Sequence, residues 1–341
     1  MKLVFAILLF VLNSYAKKQF NVGVLYWSMN IEGQVAMRHG LESQAALLNK
    51  SAKSSGASTI KIIPLVAGDG EEGIKNQVQQ FETLVTQRVD LIIVQPTDNA
   101  ALSGALKKAN KAKIPVIAYD QYIIGGKLDS FITSNNYQAG HMAGEYLAKK
   151  FKSGRKIKLV LVQYPKVSST IDRVDGLFDA LKKHKRSYEI ITTYEAVEPK
   201  AGREVGQKIL NSFPKKGSID AIFTINDGGG LSVVEELVKA GRREIIHATV
   251  DGDPNSIENI KAGNLTVINS AQFCAELGRQ AIIQGYDLLN KKEIPRKVLI
   301  PTFPVTKETL DRYTGWKGKI PKPFRKPWLE NESWNNQIEK N

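Results

Sequence analysis

The chain has 341 residues, too many for one small core and suited to two lobes of ordinary size. Apolar residues at 42% against 24% charged exclude a disordered chain, and the single cysteine, Cys274, excludes an internal disulfide framework. The net charge of +14 would suit nucleic acid, but acids are interleaved with the basic residues along the chain, the pattern of a solvated surface. Attraction to an anionic membrane surface or cell-wall polymer stays open.

The N-terminus opens with Lys2, an apolar run from Leu3 to Leu12, and then Ser14-Tyr15-Ala16, which puts small residues at −3 and −1 of a cleavage site. This is the pattern of a secretory signal peptide over residues 1–16. A membrane anchor is the weaker alternative, because the run falls short of the ~20 residues a span needs. An exported, disulfide-poor chain of this size fits a bacterial periplasm. That compartment also argues against nucleic acid as a partner.

Beyond the leader, apolar runs alternate with amphipathic ones. A strand over 20–27 precedes a helix over 33–50; a strand over 60–66 precedes a helix over 71–88; a strand over 91–96 precedes a helix over 98–111. "IPVIAY" (114–119) and "SFIT" (130–133) are further strands, the second followed by a helix over 136–151. The rhythm continues with strands over 157–163, 188–194, 220–225, 244–250 and 265–271, and helices over 169–184, 201–213, 229–240, 254–262 and 275–290. Such alternation predicts βαβ units, parallel sheets and right-handed crossovers. Ten or so strands exceed one comfortable sheet, so two α/β lobes are expected, with a boundary near 125–135.

The strand ends are polar: Asn30 shortly after the first, Gln95 to Asp98, Asp120-Gln121, Ser134-Asn135-Asn136, Asn226-Asp227, and Asp251-Gly252-Asp253. Ligands of parallel α/β sheets bind outside these carboxyl ends. Some such residues are simple helix caps, and Asn136 and Asp98 suit that role. Asp120-Gln121 does not, since a Gly-Gly loop follows it rather than a helix.

Signs of catalysis are lacking. The four histidines have no metal-ligand spacing, "AGDGEEG" (67–73) is not a dinucleotide fingerprint, "GGG" (228–230) has no phosphate-loop lysine, and no G-x-S-x-G elbow occurs. Cys274 reads as a buried inert thiol. Many hydrogen-bonding groups with no nucleophile describe a binding site, without cofactor or metal.

Four stretches resemble the periplasmic sugar-binding proteins of the ribose/galactose type, which share their fold with the ligand domain of lac-type repressors. They are "IIVQPTDNAALSGALKKANKAKIPVIAYDQ" (92–121), "ITSNNYQAGHMAGEYL" (132–147), "AIFTIND" (221–227) and "VDGDPNSIENIKAGNLTVINSAQ" (250–272). The likeness runs over about 20–310. It implies an α/β fold of two Rossmann-like lobes with parallel sheets, joined by a three-strand hinge with crossings near 133, 271 and 300, and with ligand in the interlobe cleft. The lobes would then comprise 17–133 with 272–300, and 134–271 with 301–314, leaving a basic aromatic tail over 315–341.

The resemblance further implies ligand hydrogen bonds from Asp120, Asn226, Asp251 and Gln272. It puts Gln121 where many members have Arg, and Asn30 at the polar position after the first strand. Asn135 falls in the polar pair ahead of the small-residue helix, and Arg173 in the segment that supplies an arginine. Such groups suit a polyol, whose hydroxyls both donate and accept. The chain departs from the ribose type at "NIEGQ" (30–34), where members carry an aromatic pair. Trp27, Tyr26 or Phe273 either replaces a wall or packs the core. Glu32 either accepts from hydroxyls or favours a cation. The tail, with Trp316, Trp328 and Trp334, is expected as a strap packed on one lobe, or else as a docking element.

The expected activity is therefore capture of a small polar ligand, most simply a monosaccharide, by a monomer that delivers it to an ABC importer. The alternative is a sensor, for example of an autoinducer-2-like furanose, signalling through a chemoreceptor or sensor kinase. An enzyme is not expected.

Overall fold

The computed structural model describes residues 18–152, 154–329 and 331–341; the expected leader lies outside them. In chain order the first elements are β1 (Gln19–Tyr26), α1 (Glu32–Ser55), β2 (Thr59–Val66), α2 (Gly70–Thr86), β3 (Leu91–Val94), α3 (Ser103–Lys111), β4 (Val116–Tyr119) and β5 (Ser130–Ser134). There follow α4 (Asn136–Lys150), β6 (Ile157–Gln163), α5 (Ser168–Lys183), β7 (Tyr188–Glu195), α6 (Pro199–Ser212), β8 (Ala221–Thr224) and α7 (Asp227–Lys239). Then come β9 (Ile246–Asp251), α8 (Pro254–Ala262), β10 (Thr266–Ala271), α9 (Cys274–Leu289), β11 (Lys297–Ile300) and β12 (Phe303–Val305). Three two-residue strands end the chain: β13 (Phe324–Arg325), β14 (Ser333–Trp334) and β15 (Glu339–Lys340).

The strands form a seven-stranded sheet, in the order β15-β11-β5-β4-β3-β1-β2, and a six-stranded sheet, β12-β10-β9-β8-β6-β7. Within these two sheets all pairings are parallel except those of β15 with β11 and β12 with β10, and β13 and β14 pair antiparallel as a separate two-stranded sheet. Central strands such as "LIIV" and "AIFT" are buried throughout, because helices cover both faces. The fold is thus α/β with two parallel-sheet lobes. The chain leaves the first sheet after Ser134, leaves the second after Ala271, and passes to the second again after Ile300. Helix α9 follows β10 but packs on β3, β4 and β5 of the first sheet.

Local chemistry sets some of the element ends. Asp253 caps α8 through the Asn255 amide at 2.8 Å, Pro254 takes its first position, and Gly263 closes it with φ +69°. Helix α3 starts at Ser103, five residues later than expected. The Asp98 carboxylate accepts from the Ala100 and Ala101 amides, both at 2.7 Å, and holds a turn ahead of the helix.

Helices α1 and α9 meet at Gly40 and Gly278. A methyl group on Gly40 would collide with the Ala275 carbonyl, and one on Gly278 with that of Met37. Gly40→Ala gains about 1 kcal/mol of helix propensity but overpacks a backbone contact. We expect a net loss of about 1–2 kcal/mol in urea unfolding; a neutral or stabilised variant would show that the helices can separate freely.

The expectation of a tail on one lobe is corrected: the tail touches both. Phe324 and Trp334, paired across β13 and β14, pack with Phe303 of the six-stranded sheet. Trp328 meets Tyr146 edge-on at 5.2 Å, and Lys326 reaches Glu145 of α4 at 2.7 Å. Farther on, β15 adds to the seven-stranded sheet, and the Lys297 and Asn341 backbones exchange two hydrogen bonds. The strands after 271 escaped the sequence reading because they are only two to four residues long.

Candidate functional site

Both sheets aim their carboxyl strand ends at one cleft. Asp120 follows β4 in a left-handed conformation, φ +66°, and Asp251 ends β9 with φ +117°. Positive φ costs a non-glycine residue ~1–3 kcal/mol unless its surroundings hold it there. Both aspartates are so held. The Asp120 amide donates to the Ile132 carbonyl at 2.7 Å, and its own carbonyl accepts from the Thr133 hydroxyl at 2.9 Å. The Asp251 carbonyl accepts from the Gln272 amide at 2.9 Å and the Trp316 indole at 2.7 Å.

Arg173 is the hub. It is 4% exposed, so each of its hydrogen bonds is made away from water. Its Nη1 lies 3.1 Å from the Asp251 carboxylate and donates to the Ile225 carbonyl at 2.7 Å, while Nε donates to Asn136 Oδ1 at 2.9 Å. Gly140 on α4 makes this possible, since a side chain there would strike the Arg173 backbone. Gln272 bridges onward, donating to Asp251 at 2.7 Å and accepting from the Ser134 hydroxyl at 2.6 Å. On the other side of the cleft, Gln95 donates to Asp120 at 3.0 Å, and Gln121 pairs with Ser169 of α5 at 3.0 Å.

The charges here are uneven: two carboxylates face one guanidinium. Burial raises the Asp120 carboxyl, with Gln95 and Arg173 pulling the other way and Asp251 pushing it further up. Burial likewise raises Asp251, opposed first by Arg173 and then by Gln272. Asp227, beneath them, is pushed by burial and by Asp251 up to about 8, although Asn269 and the Asp253 amide donate to it. Cys274 is buried and its thiol is pushed up by that burial.

The remaining candidates divide. Asn226 and Asn135 spend their side-chain oxygens as helix caps, on the Gly229 and Gln138 amides, and Asn135 also donates to Glu339 of the tail. The sequence reading gave Asn136 the capping role; the structure reverses the pair, with Asn135 capping and Asn136 holding Arg173. Asn30 is exposed and donates to Asp69 at 2.7 Å. Glu32 is exposed in the first turn of α1 and close enough to contribute to raising Asp253 across the cleft. Trp27 is half-buried, while Tyr26 and Phe273 are wholly buried and pack the core.

Gln95, Asn136, Ser169 and Trp316 were not chosen from the sequence. Gln95 had a signal, standing at the end of a strand buried on both faces. Trp316 had none, because its partners are distant in sequence. Among the described residues, no three His, Cys, Asp or Glu side chains group as metal ligands, and no helix is long and apolar enough to cross a membrane. What the site offers is a ring of hydrogen-bond donors and acceptors contributed by both lobes.

A sequence model of the periplasmic binding protein domain matches residues 22–293. The ribose import binding protein of Bacillus subtilis is 27% identical over 290 residues, which is 85% of this chain and 88% of that one. Its Escherichia coli counterpart is 26% identical, over 72% and 80%. Among solved structures, a solute-binding protein of an ABC transporter from Actinobacillus succinogenes with bound D-allose superposes with a TM-score of 0.71 at 26% identity, over 86% of this chain and 99% of that one. A solute-binding protein from Bacillus halodurans with bound myo-inositol, 22% identical, shares the fold with a TM-score of 0.74, over 87% and 98%. With two lobes whose strand ends meet in one polar cleft, and a family match over most of its length, this chain belongs to the periplasmic binding protein family.

Proposed function

We propose that the chain is an exported, non-enzymatic receptor that closes on a small polyhydroxylated ligand, most simply a monosaccharide, and delivers it as a monomer to an ABC importer. The observation that carries this reading is the convergence of Asp120, Gln121 and Gln95 from one lobe with Arg173 and Asp251 from the other, and with Gln272 at the crossing between them. A carboxylate or a guanidinium can serve two hydroxyls at once. Selectivity follows from the cost of leaving such buried groups unpaired when the wrong ligand binds. The names of its relatives, ribose import binding proteins, support both the ligand class and the transport role.

The test is a thermal shift screen of the chain from residue 17 with D-ribose, D-allose, myo-inositol, polyamines and amino acids. A ligand at about 100 times its Kd adds about 2.7 kcal/mol of stability. We expect a raised midpoint with one of the sugars or the cyclic polyol, lost in Asp120→Ala and Asp251→Ala. Shifts with cations alone would overturn the polyol reading and transfer the role to Glu32. If a sugar binds but uptake survives deletion of the chain while chemotaxis does not, the protein is a sensor.

A further inference from the structure

The tail begins beyond the family match, which ends at residue 293, yet it reaches the cleft. Two aromatics there, Tyr313 just ahead of the tail and Trp316 within it, each direct their one polar hydrogen at the backbone of a site residue. Trp316 Nε1 donates to the Asp251 carbonyl at 2.7 Å, and the Tyr313 hydroxyl donates to the Gln272 carbonyl at 3.1 Å. Both side chains are fixed from behind. The Tyr313 ring stacks on Phe303 with centroids 5.7 Å apart, and the Trp316 carbonyl accepts from the Ala275 amide, at the start of α9, at 3.0 Å.

We propose that Tyr313 and Trp316 are positioning residues for the ligand site, holding Asp251 and Gln272 in the geometry that binds. This rests on the sugar-receptor reading above. The argument is conformational. Asp251 adopts φ +117°, which a non-glycine residue keeps only where several bonds enforce it. Its carbonyl has two donors, and one of them is the Trp316 indole. Loss of that anchor would loosen the backbone that carries the carboxylate facing Arg173 and Gln272. Trp316 also ties the site to the opposite lobe: a methyl group built on Gly33, in α1, would lie 3.9 Å from its Cζ2. The indole therefore sits where both lobes meet, beside the "NIEGQ" segment that carries no aromatic of its own.

The test uses Trp316→Phe and Tyr313→Phe in the full mature chain. Each keeps the ring and removes the donor. Binding of D-ribose and D-allose is measured by calorimetry, and amide exchange is followed over residues 250–275. We expect about tenfold weaker binding in Trp316→Phe, a smaller loss in Tyr313→Phe, faster exchange confined to 250–275, and a nearly unchanged thermal midpoint without ligand. Unchanged affinity and exchange would overturn the proposal, and so would faster exchange spread over the whole chain, which marks a general packing role. If neither these sugars nor myo-inositol binds the unmodified chain, the receptor reading loses its ligand class. The exchange result still decides whether the tail holds Asp251.

Discussion

Arg173→Met is expected to abolish ligand binding and to lower unfolding stability by about 3–5 kcal/mol, the cost of removing one partner from a buried ionic network. The side chain is 5% exposed, so solvent screening does not reduce this figure appreciably. Three acceptors lose a donor at once: the Asp251 carboxylate, which keeps Gln272, the Ile225 carbonyl and Asn136 Oδ1. The two carboxylates then face each other without a cation. A carboxyl raised in the folded state contributes most stability below its unfolded pKa, and that contribution is lost as pH rises through the folded value. Asp120 and Asp251 are already raised by burial, and Arg173 is a group that restrains both. Its removal raises them further. The thermal midpoint of Arg173→Met is therefore expected to fall more steeply than that of the unmodified chain as pH rises above the unfolded carboxyl value. Parallel midpoint curves would show that the arginine does not govern these carboxyls.

Lys326→Met in the tail is expected to cost a similar amount, although it lies outside the cleft. Glu145 is 1% exposed on its side chain, and Lys326 is 2.7 Å away with 9% exposure. Burial alone would raise Glu145, but His141, 3.2 Å away, and the hydrogen bond and charge of Lys326 bring it down to about 2. Because the folded value is depressed, the stability it confers is present above the unfolded pKa of about 4.5 and is lost as pH falls toward 2. At ~1.4 kcal/mol per pH unit, that contribution is on the order of 3 kcal/mol. Removing the lysine leaves a buried carboxylate facing His141 alone and frees the strap between Phe324 and Trp334. Urea unfolding at neutral pH should register a loss of about 3–5 kcal/mol, with the tail cut earlier by protease. Adding Glu145→Gln should restore part of the loss, since it removes the stranded charge. A loss below about 1 kcal/mol would make the pair a solvated surface contact.

Neither pair was legible beforehand, and the reason is separation along the chain. Lys326 and Glu145 lie 181 residues apart, and Arg173 and Asp251 lie on different elements, α5 and β9. No periodicity links them. The Asn135 and Asn136 exchange shows the same limit at short range. Neighbouring helical residues point ~100° apart, so a one-residue shift of the cap decides which amide serves the helix and which meets Arg173.

What the sequence determined by itself is the α/β alternation, the division into two sheets and the polar strand ends. These depend on local hydrophobic periodicity and on the need of a doubly covered parallel strand to be apolar until it reaches water. What only the tertiary structure decided is which polar residues share the cleft, and that the tail reaches both lobes. Those outcomes hang on single backbone angles at Asp120 and Asp251, on glycine contacts that let helices approach, and on hydrogen bonds between segments that meet only after the chain has folded.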